Sequence, residues 1–395
     1  MKQGDPEMNT AEIIAARTWG ALGNYLAASN LAEVLERRLS WKVNLREIET
    51  LVPWAAESGR RIADICSSSG SPEVLHRSYM QFADEALRLM PDSYEVHSDA
   101  APIRLDDLLD CVQSADSGIF IGTKGVVSRM LTYCVRRTKS RSPIWNYVTN
   151  PGLFEMGMHR APYSDFTTVP FIWNKERLLE ISDVRPEQVY VTGPLLRRNL
   201  SNVGPTAKGT ADSLPLVVVF NNRCGAVMSR LVCALAEQRA NCDVVYIALD
   251  ENQTQLDRVR RLASERQWEV YEKLPQSHYF EYLERAATTP GSCVVAKASP
   301  ATVFEVVSRN IPLVTVSSGL PQEDWVPEMI RSWGLGSHCR TTADLLVAVQ
   351  EQLNQRENVH YRRLIRSFTE THLDQNTIES RIEIVASAAA RAVGR

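Results

Sequence analysis

The chain has 395 residues, 44% of them hydrophobic and 23% charged, with a formal net charge of −3. That length exceeds one ordinary hydrophobic core, so two domains are expected. The near-neutral balance gives no basis for bulk nucleic-acid binding, and no apolar run is long enough to span a bilayer.

In chain order, β-rich runs fall at residues 12–16, 42–48, 118–122, 144–149, 167–172 and 189–192. Helical patterns lie between them, at 25–39, 105–113 and 126–135 among others. A stretch rich in Gly, Pro, Ser, Thr and Asn, NLSNVGPTAKGTADSLP at 199–215, then breaks the alternation and reads as an interdomain linker. The pattern resumes with strands at 216–220, 243–249, 269–272, 293–297 and 312–316, separated by helices at 228–239, 254–264, 279–287 and 302–308. From 342 onward the pattern is helical, with a last helix from 375 to about 391. Strand and helix alternating twice predict an α/β protein of two doubly wound, Rossmann-like domains facing a cleft at the carboxyl ends of their strands.

The polar opening MKQGDPEMNT does not read as a signal peptide. Cysteines at 66, 111, 134, 224, 233, 242, 293 and 339 form no C-x-x-C pair, so they read as buried free thiols rather than zinc ligands or a disulfide frame. The expected address is the cytoplasm.

The stretch with the most chemical content is CVVAKASPATVFEVVSRNIPLVTV, residues 293–316. A strand ends in the small residues Ala298-Ser299-Pro300-Ala301, and a helix follows. Such a turn lets backbone N–H groups approach an anion, and the helix dipole favours the same charge. Thr302 in the first turn offers a hydroxyl to a phosphate oxygen. Glu305 would repel a diphosphate, so its natural partner is a diol such as the ribose hydroxyls. The plainer alternative is a capping box, Thr302-x-x-Glu305. Further on, GLPQEDW places Gln322 and Glu323 after the next strand, where they suit sugar hydroxyls; otherwise they form a solvated turn after Pro321.

The segments AKASPATVFEVVSRNIPLVTV, GLPQEDW and MIRSWGLG together resemble the donor-binding region of glycosyltransferase family 28. That family includes monogalactosyldiacylglycerol synthases and the peptidoglycan N-acetylglucosaminyltransferase. Its pattern is lysine, a small residue, Gly-Pro-Gly-Thr or Gly-Gly-x-Thr, two residues, glutamate, and later a Gln-Glu turn. Thr302, Glu305, Gln322 and Glu323 fall on those positions, while Ser299 and Ala301 replace glycines. The resemblance implies a GT-B fold and inverting transfer of a hexose-type sugar from a nucleotide diphosphate sugar, most simply a UDP-sugar, to a hydroxyl of a lipid or secondary-metabolite acceptor. The implied layout is an acceptor domain at 1–198, the linker at 199–215, a donor domain at 216–372 and a final helix at 373–395 returning to the first domain.

Other positions follow from the same resemblance. Leu274, in VYEKLPQSHYF, falls where the family holds the nucleotide base, or is a plain apolar turn residue. Asn221 and Asn222 replace glycines of the loop after residues 216–220, and Asn tolerates a left-handed turn there; Arg223 faces the diphosphate or water. Gly193 and Pro194 shape the exit from their strand. TWGALGNYLAASNLAEVL at 18–35 reads as strand, turn and helix, and Asn24 stands where the family has histidine. An amide is no general base, but it can orient an acceptor hydroxyl or the diphosphate; otherwise it is an Asn in a turn before a helix. Asn150 replaces the family aspartate in Thr149-Asn150-Pro151. His159, with Asp165 on the same segment, is the remaining candidate base.

The basic stretch from Lys124 through Arg129, Arg136, Arg137, Lys139 and Arg141 either serves a helix end or forms a patch for an anionic acceptor or a membrane surface. No D-x-D motif is present, which fits a site working without metal or cofactor, with the UDP-sugar as substrate. Alternatives are a sugar-nucleotide 2-epimerase and a non-catalytic nucleotide-sugar-binding relative, the latter favoured by Asn24 and Asn150. The expected partners are a nucleotide-sugar donor and a hydroxyl acceptor, with peripheral membrane contact as an option and no nucleic acid.

Overall fold

The structure, a computed structural model, describes residues 9–17, 23–68, 72–89, 103–115, 118–150, 152, 164–197, 213–221, 224, 226–249, 253–272, 274–317 and 319–393. The chain divides into two compact units. One comprises Met1–Ile65, Arg77–Arg197 and Asp374–Arg395; the other comprises Cys66–His76 and Arg198–Leu373.

In the N-terminal unit the order is β1 (Thr10–Ala15), α1 (Gly23–Leu39), β2 (Lys42–Glu47), α2 (Ile48–Leu51), α3 (Pro53–Ser68), α4 (Pro72–Leu89, whose first residues count with the other unit), α5 (Asp106–Ser114), β3 (Ile119–Gly122), α6 (Gly125–Arg137), β4 (Ile144–Tyr147), β5 (Phe166–Val169), α7 (Ile172–Ile181) and β6 (Val189–Val191). The C-terminal unit runs β7 (Leu216–Asn221), α8 (Ala226–Glu237), β8 (Asp243–Ala248), α9 (Gln253–Arg266), β9 (Glu269–Tyr271), α10 (Gln276–Thr288), β10 (Cys293–Lys297), α11 (Pro300–Val307), β11 (Leu313–Val316), α12 (Trp325–Trp333), β12 (Gly336–Cys339), α13 (Thr342–Leu353) and α14 (Gln355–His372). The last helix, α15 (Gln375–Ala392), belongs to the N-terminal unit.

Each unit is built on one six-stranded sheet, and every strand pair is parallel. The first sheet has the order β2-β1-β3-β4-β5-β6 and the second β12-β11-β10-β7-β8-β9. Parallel strands are covered by helices on both faces, so they read as unbroken apolar runs. LVVVFN, DVVYIA and CVVAK are such runs. In the second sheet the order reverses between β7 and β10; in the first it reverses between β1 and β3. Loops leaving the carboxyl ends of these strands therefore border the crevice where doubly wound sheets bind ligands.

The eleven expected strands are present with ends shifted by up to three residues, and a twelfth, β12, was not expected. Its sequence, GSHC, has little β preference. Gly336 opens it at φ 149°, and a Cβ there would lie 1.8 Å from the Leu313 carbonyl oxygen. Only glycine permits that approach. The strand feeding α1 is β1, ahead of the segment 18–35, of which residues 18–22 lie outside the described residues.

The C-terminal core joins Val217, Val219 and Tyr246 of the sheet to Leu231 and Leu235 of α8 and Leu345 and Val349 of α13. In the N-terminal core, α15 places Ile378, Ile382, Val385, Ala386 and Ala389 on one face, the spacing of a helical stripe. That stripe packs with Ala28, Leu31 and Leu35 of α1. Arg37 pairs with Glu379, and Arg38 with both Glu379 and Glu383, at the rim.

Candidate functional site

The C-terminal unit assembles its polar groups at the carboxyl ends of β10 and β11. After Lys297 the chain turns through Ala298 and Ser299 into α11. Ser299 is the N-cap residue in extended conformation, and Pro300 occupies the first turn, where its missing N–H costs nothing. Ser299 does not cap the helix with its side chain. Its hydroxyl donates instead to Thr302 Oγ1 at 3.0 Å, leaving the Thr302 proton for another acceptor. Ala301 is exposed at this helix start and Thr302 is half-buried. Because the helix begins at Pro300, Thr302 lies inside it, and the capping box Thr302-x-x-Glu305 does not form.

Glu305 is buried, one turn further along. Tyr279 of α10 donates its phenol to Glu305 Oε2 at 2.9 Å, and its ring meets Phe220 of β7 edge-on at 5.2 Å. A second tie joins the same helices: Arg309, just past α11, forms a buried ion pair with Glu284 of α10. Burial pushes the Arg309 guanidinium below its ordinary value. The end of α10 is fixed by Arg362 of α14. Its guanidinium donates to the carbonyls of Ala286, Ala287, Thr289 and Asn310 and to Asn358 Oδ1.

Gln322 and Glu323 lie in a 3-10 turn, Pro321–Glu323, and are only 3% and 5% exposed. That burial overturns the reading of a solvated turn. Among the described residues, Gln322 Oε1 and Glu323 Oε2 have no hydrogen-bond partner. Lys297, itself 6% exposed, places Nζ 3.7 Å from Glu323 Oε2. Sequence reasoning noted this lysine within a pattern but gave it no role. A cation closing the apolar strand CVVAK was the available signal.

Asn221 is the last residue of β7, paired in register with Ala248, and so is extended rather than in a left-handed turn. Its side chain is buried, with Nδ2 donating to the Tyr246 phenol at 2.9 Å. Leu274 is half-buried in the link between β9 and α10. Asn222, Arg223 and Gly225 lie outside the described residues.

In the N-terminal unit, Asn24 sits in the first turn of α1, and Thr149 follows β4. The Thr149 hydroxyl is 2.5 Å from Asn24 Oδ1 and 3.1 Å from the Thr123 carbonyl oxygen. A hydroxyl has one proton, so both contacts are satisfied when the Asn24 amide presents its NH2 to Thr149. Two positions singled out in the sequence, Asn24 and the Thr149-Asn150 pair, are thereby brought together. Asp165 instead accepts the N–H of Ile144 at 2.8 Å at the start of β4. His159 lies outside the described residues.

The basic stretch splits in two. Lys124 and Arg129 are buried, with Lys124 Nζ 3.4 Å from the Tyr79 phenol, whereas Arg136 and Arg137 are exposed in the last turn of α6. Among the described residues no helix is long and apolar enough to cross a membrane. Of the seven cysteines whose side chains are described, six are buried, and burial pushes the Cys339 and Cys242 thiols up to about 11 and about 12.

Two parallel six-stranded Rossmann-like sheets, each wrapped by helices, are the fold of the GT-B glycosyltransferases. No protein-family model matches the sequence, and no curated protein matches it. Solved structures do. Acinetobacter baumannii MurG gives a TM-score of 0.59 at 14% identity, covering 96% of this chain and 99% of that one. Phytolacca americana UGT2, complexed with UDP-2fluoro-glucose and pterostilbene, gives 0.60 at 10% identity, covering 97% and 100%. The glycosyltransferase SnogD from Streptomyces nogalater gives 0.59 at 13% identity, covering 98% and 100%.

Proposed function

We propose that this chain transfers a hexose-type sugar from a UDP-sugar to an acceptor hydroxyl with inversion. The observation that carries the reading is the cluster at the carboxyl ends of β10 and β11. There the uncapped start of α11, the Thr302 hydroxyl, buried Glu305 and buried Gln322 and Glu323 stand within one doubly wound sheet. Solved structures of similar fold carry UDP or UDP-2fluoro-glucose, which agrees with a uridine donor.

Each group then has a task. The diphosphate lies against the start of α11, where N–H groups, the helix dipole and Thr302 stabilise charge growing on the leaving group. Glu305 receives the ribose diol, and Gln322 and Glu323 receive hydroxyls of the sugar. In the N-terminal unit, Asn24 and Thr149 orient the acceptor, and His159 takes the proton of the attacking hydroxyl. The acceptor is a lipid or a secondary metabolite. The test is UDP release from a panel of UDP-sugars with and without hydroxyl acceptors. Acceptor-dependent release supports transfer. Interconversion of free UDP-sugars, or binding without turnover, overturns it.

A further inference from the structure

Lys297, paired with Glu323, has no part in the transfer chemistry described above. Both side chains are at most 7% exposed, at the ends of neighbouring elements: Lys297 closes β10, opposite Val316 of β11, and Glu323 ends the turn that follows β11. Their separation of 3.7 Å is outside direct hydrogen-bond range, so attraction is present without a shared proton. Glu323 Oε2 and the neighbouring Gln322 Oε1 have no hydrogen-bond partner among the described residues. Buried acceptors are rarely left so, and a buried ion pair is a costly element unless its geometry serves something beyond stability. Two acceptors side by side, with the carboxylate backed by a cation, suit a ligand that donates several hydroxyl protons.

We propose that Lys297 is a positioning residue: its buried ammonium holds the Glu323 carboxylate aimed, so that Glu323 and Gln322 together receive the sugar hydroxyls of the donor. This rests on the UDP-sugar reading above. Lys297 acts through Glu323 and does not hold the diphosphate. Its substitution is therefore felt by the sugar-bearing nucleotide and not by UDP alone.

The experiment is isothermal titration of the full chain with UDP and with the tightest-binding of UDP-glucose, UDP-galactose and UDP-N-acetylglucosamine. Lys297→Met should weaken UDP-sugar binding roughly tenfold or more, the scale of lost hydrogen bonds to a charged group, and leave UDP affinity within about twofold. Lys297→Arg should restore most of the loss. In a Glu323→Gln background, Lys297→Met should add no further loss, because the two residues act as one unit. Equal weakening of UDP and UDP-sugar, additive effects of the two substitutions, or no effect of either would overturn the proposal. Should Lys297→Met fail to fold, Glu323→Gln and Lys297→Arg decide: the first must lose the sugar-dependent affinity and the second must keep it. A wild-type chain that binds neither UDP nor any of the three UDP-sugars would instead sink the donor reading itself, and this inference with it.

Discussion

Replacing Arg362 with methionine gives the sharpest test of how the C-terminal unit holds its helices. The guanidinium uses all five of its N–H groups, four of them on the carbonyls of Ala286, Ala287, Thr289 and Asn310 at 2.5–3.2 Å. Two of these carbonyls end α10, that of Thr289 follows it and that of Asn310 follows α11, where helix geometry leaves oxygens without intrahelical partners. Hydrogen bonds to a charged donor contribute about 1.5–3 kcal/mol each, so the low end for four is about 6 kcal/mol. Burial pushes the guanidinium below its ordinary value, to about 10, and that cost of desolvation is already part of the per-bond figure. About 6 kcal/mol is therefore the expected loss in Arg362→Met. For a unit of this size that lowers Tm by about 12–24 °C. Urea unfolding followed by circular dichroism, with Arg362→Lys as a partial rescue, measures it. A shift under about 2 °C with an unchanged denaturant slope would refute the reasoning.

Other expectations follow from particular contacts. Glu305→Ala should weaken UDP binding by about 1–3 kcal/mol by titration calorimetry, whereas Tyr279→Phe, which keeps the carboxylate, should cost less. Ile382→Ala, at a fully buried position of α15, should destabilise the N-terminal unit by about 2–5 kcal/mol in chemical unfolding. The Thr377 hydroxyl holds the Asp374 carboxylate below its ordinary value, and the Thr377 N–H adds to this at the start of α15. A depressed carboxylate stabilises fully above its unfolded value, near pH 4, and loses that contribution as pH falls through the folded one. Asp374→Ala should therefore cost about 1 kcal/mol at pH 7, with the difference shrinking below about pH 4 in unfolding curves.

The fold was legible where burial on both faces forced a simple code. Strands such as β7 and β10 are runs of Val and Ala because helices cover them on either side. β12 escaped because its place is set by a backbone contact, Gly336 against the Leu313 carbonyl, which no apolar pattern records. At the site, small residues followed by Pro and Thr marked the start of α11 correctly. The capping-box alternative failed because Pro300 starts the helix two residues before Thr302. The Gln322-Glu323 turn looked solvated because its cation lies elsewhere in the chain: Lys297 reaches it only through the pairing of β10 with β11. The meeting of Asn24 with Thr149 likewise depends on strand order, across 125 positions of sequence.

The placement of α15 has a consequence for biosynthesis. The sheet of the C-terminal unit draws only on residues 216–339, so it is complete before α15 leaves the ribosome. The earlier-made unit cannot close, because Ala28, Leu31 and Leu35 wait for the stripe of Ile378 and Ile382. The half synthesised first is thus the half finished last, and its uncovered α1 face is the surface that chaperones would shield in the meantime.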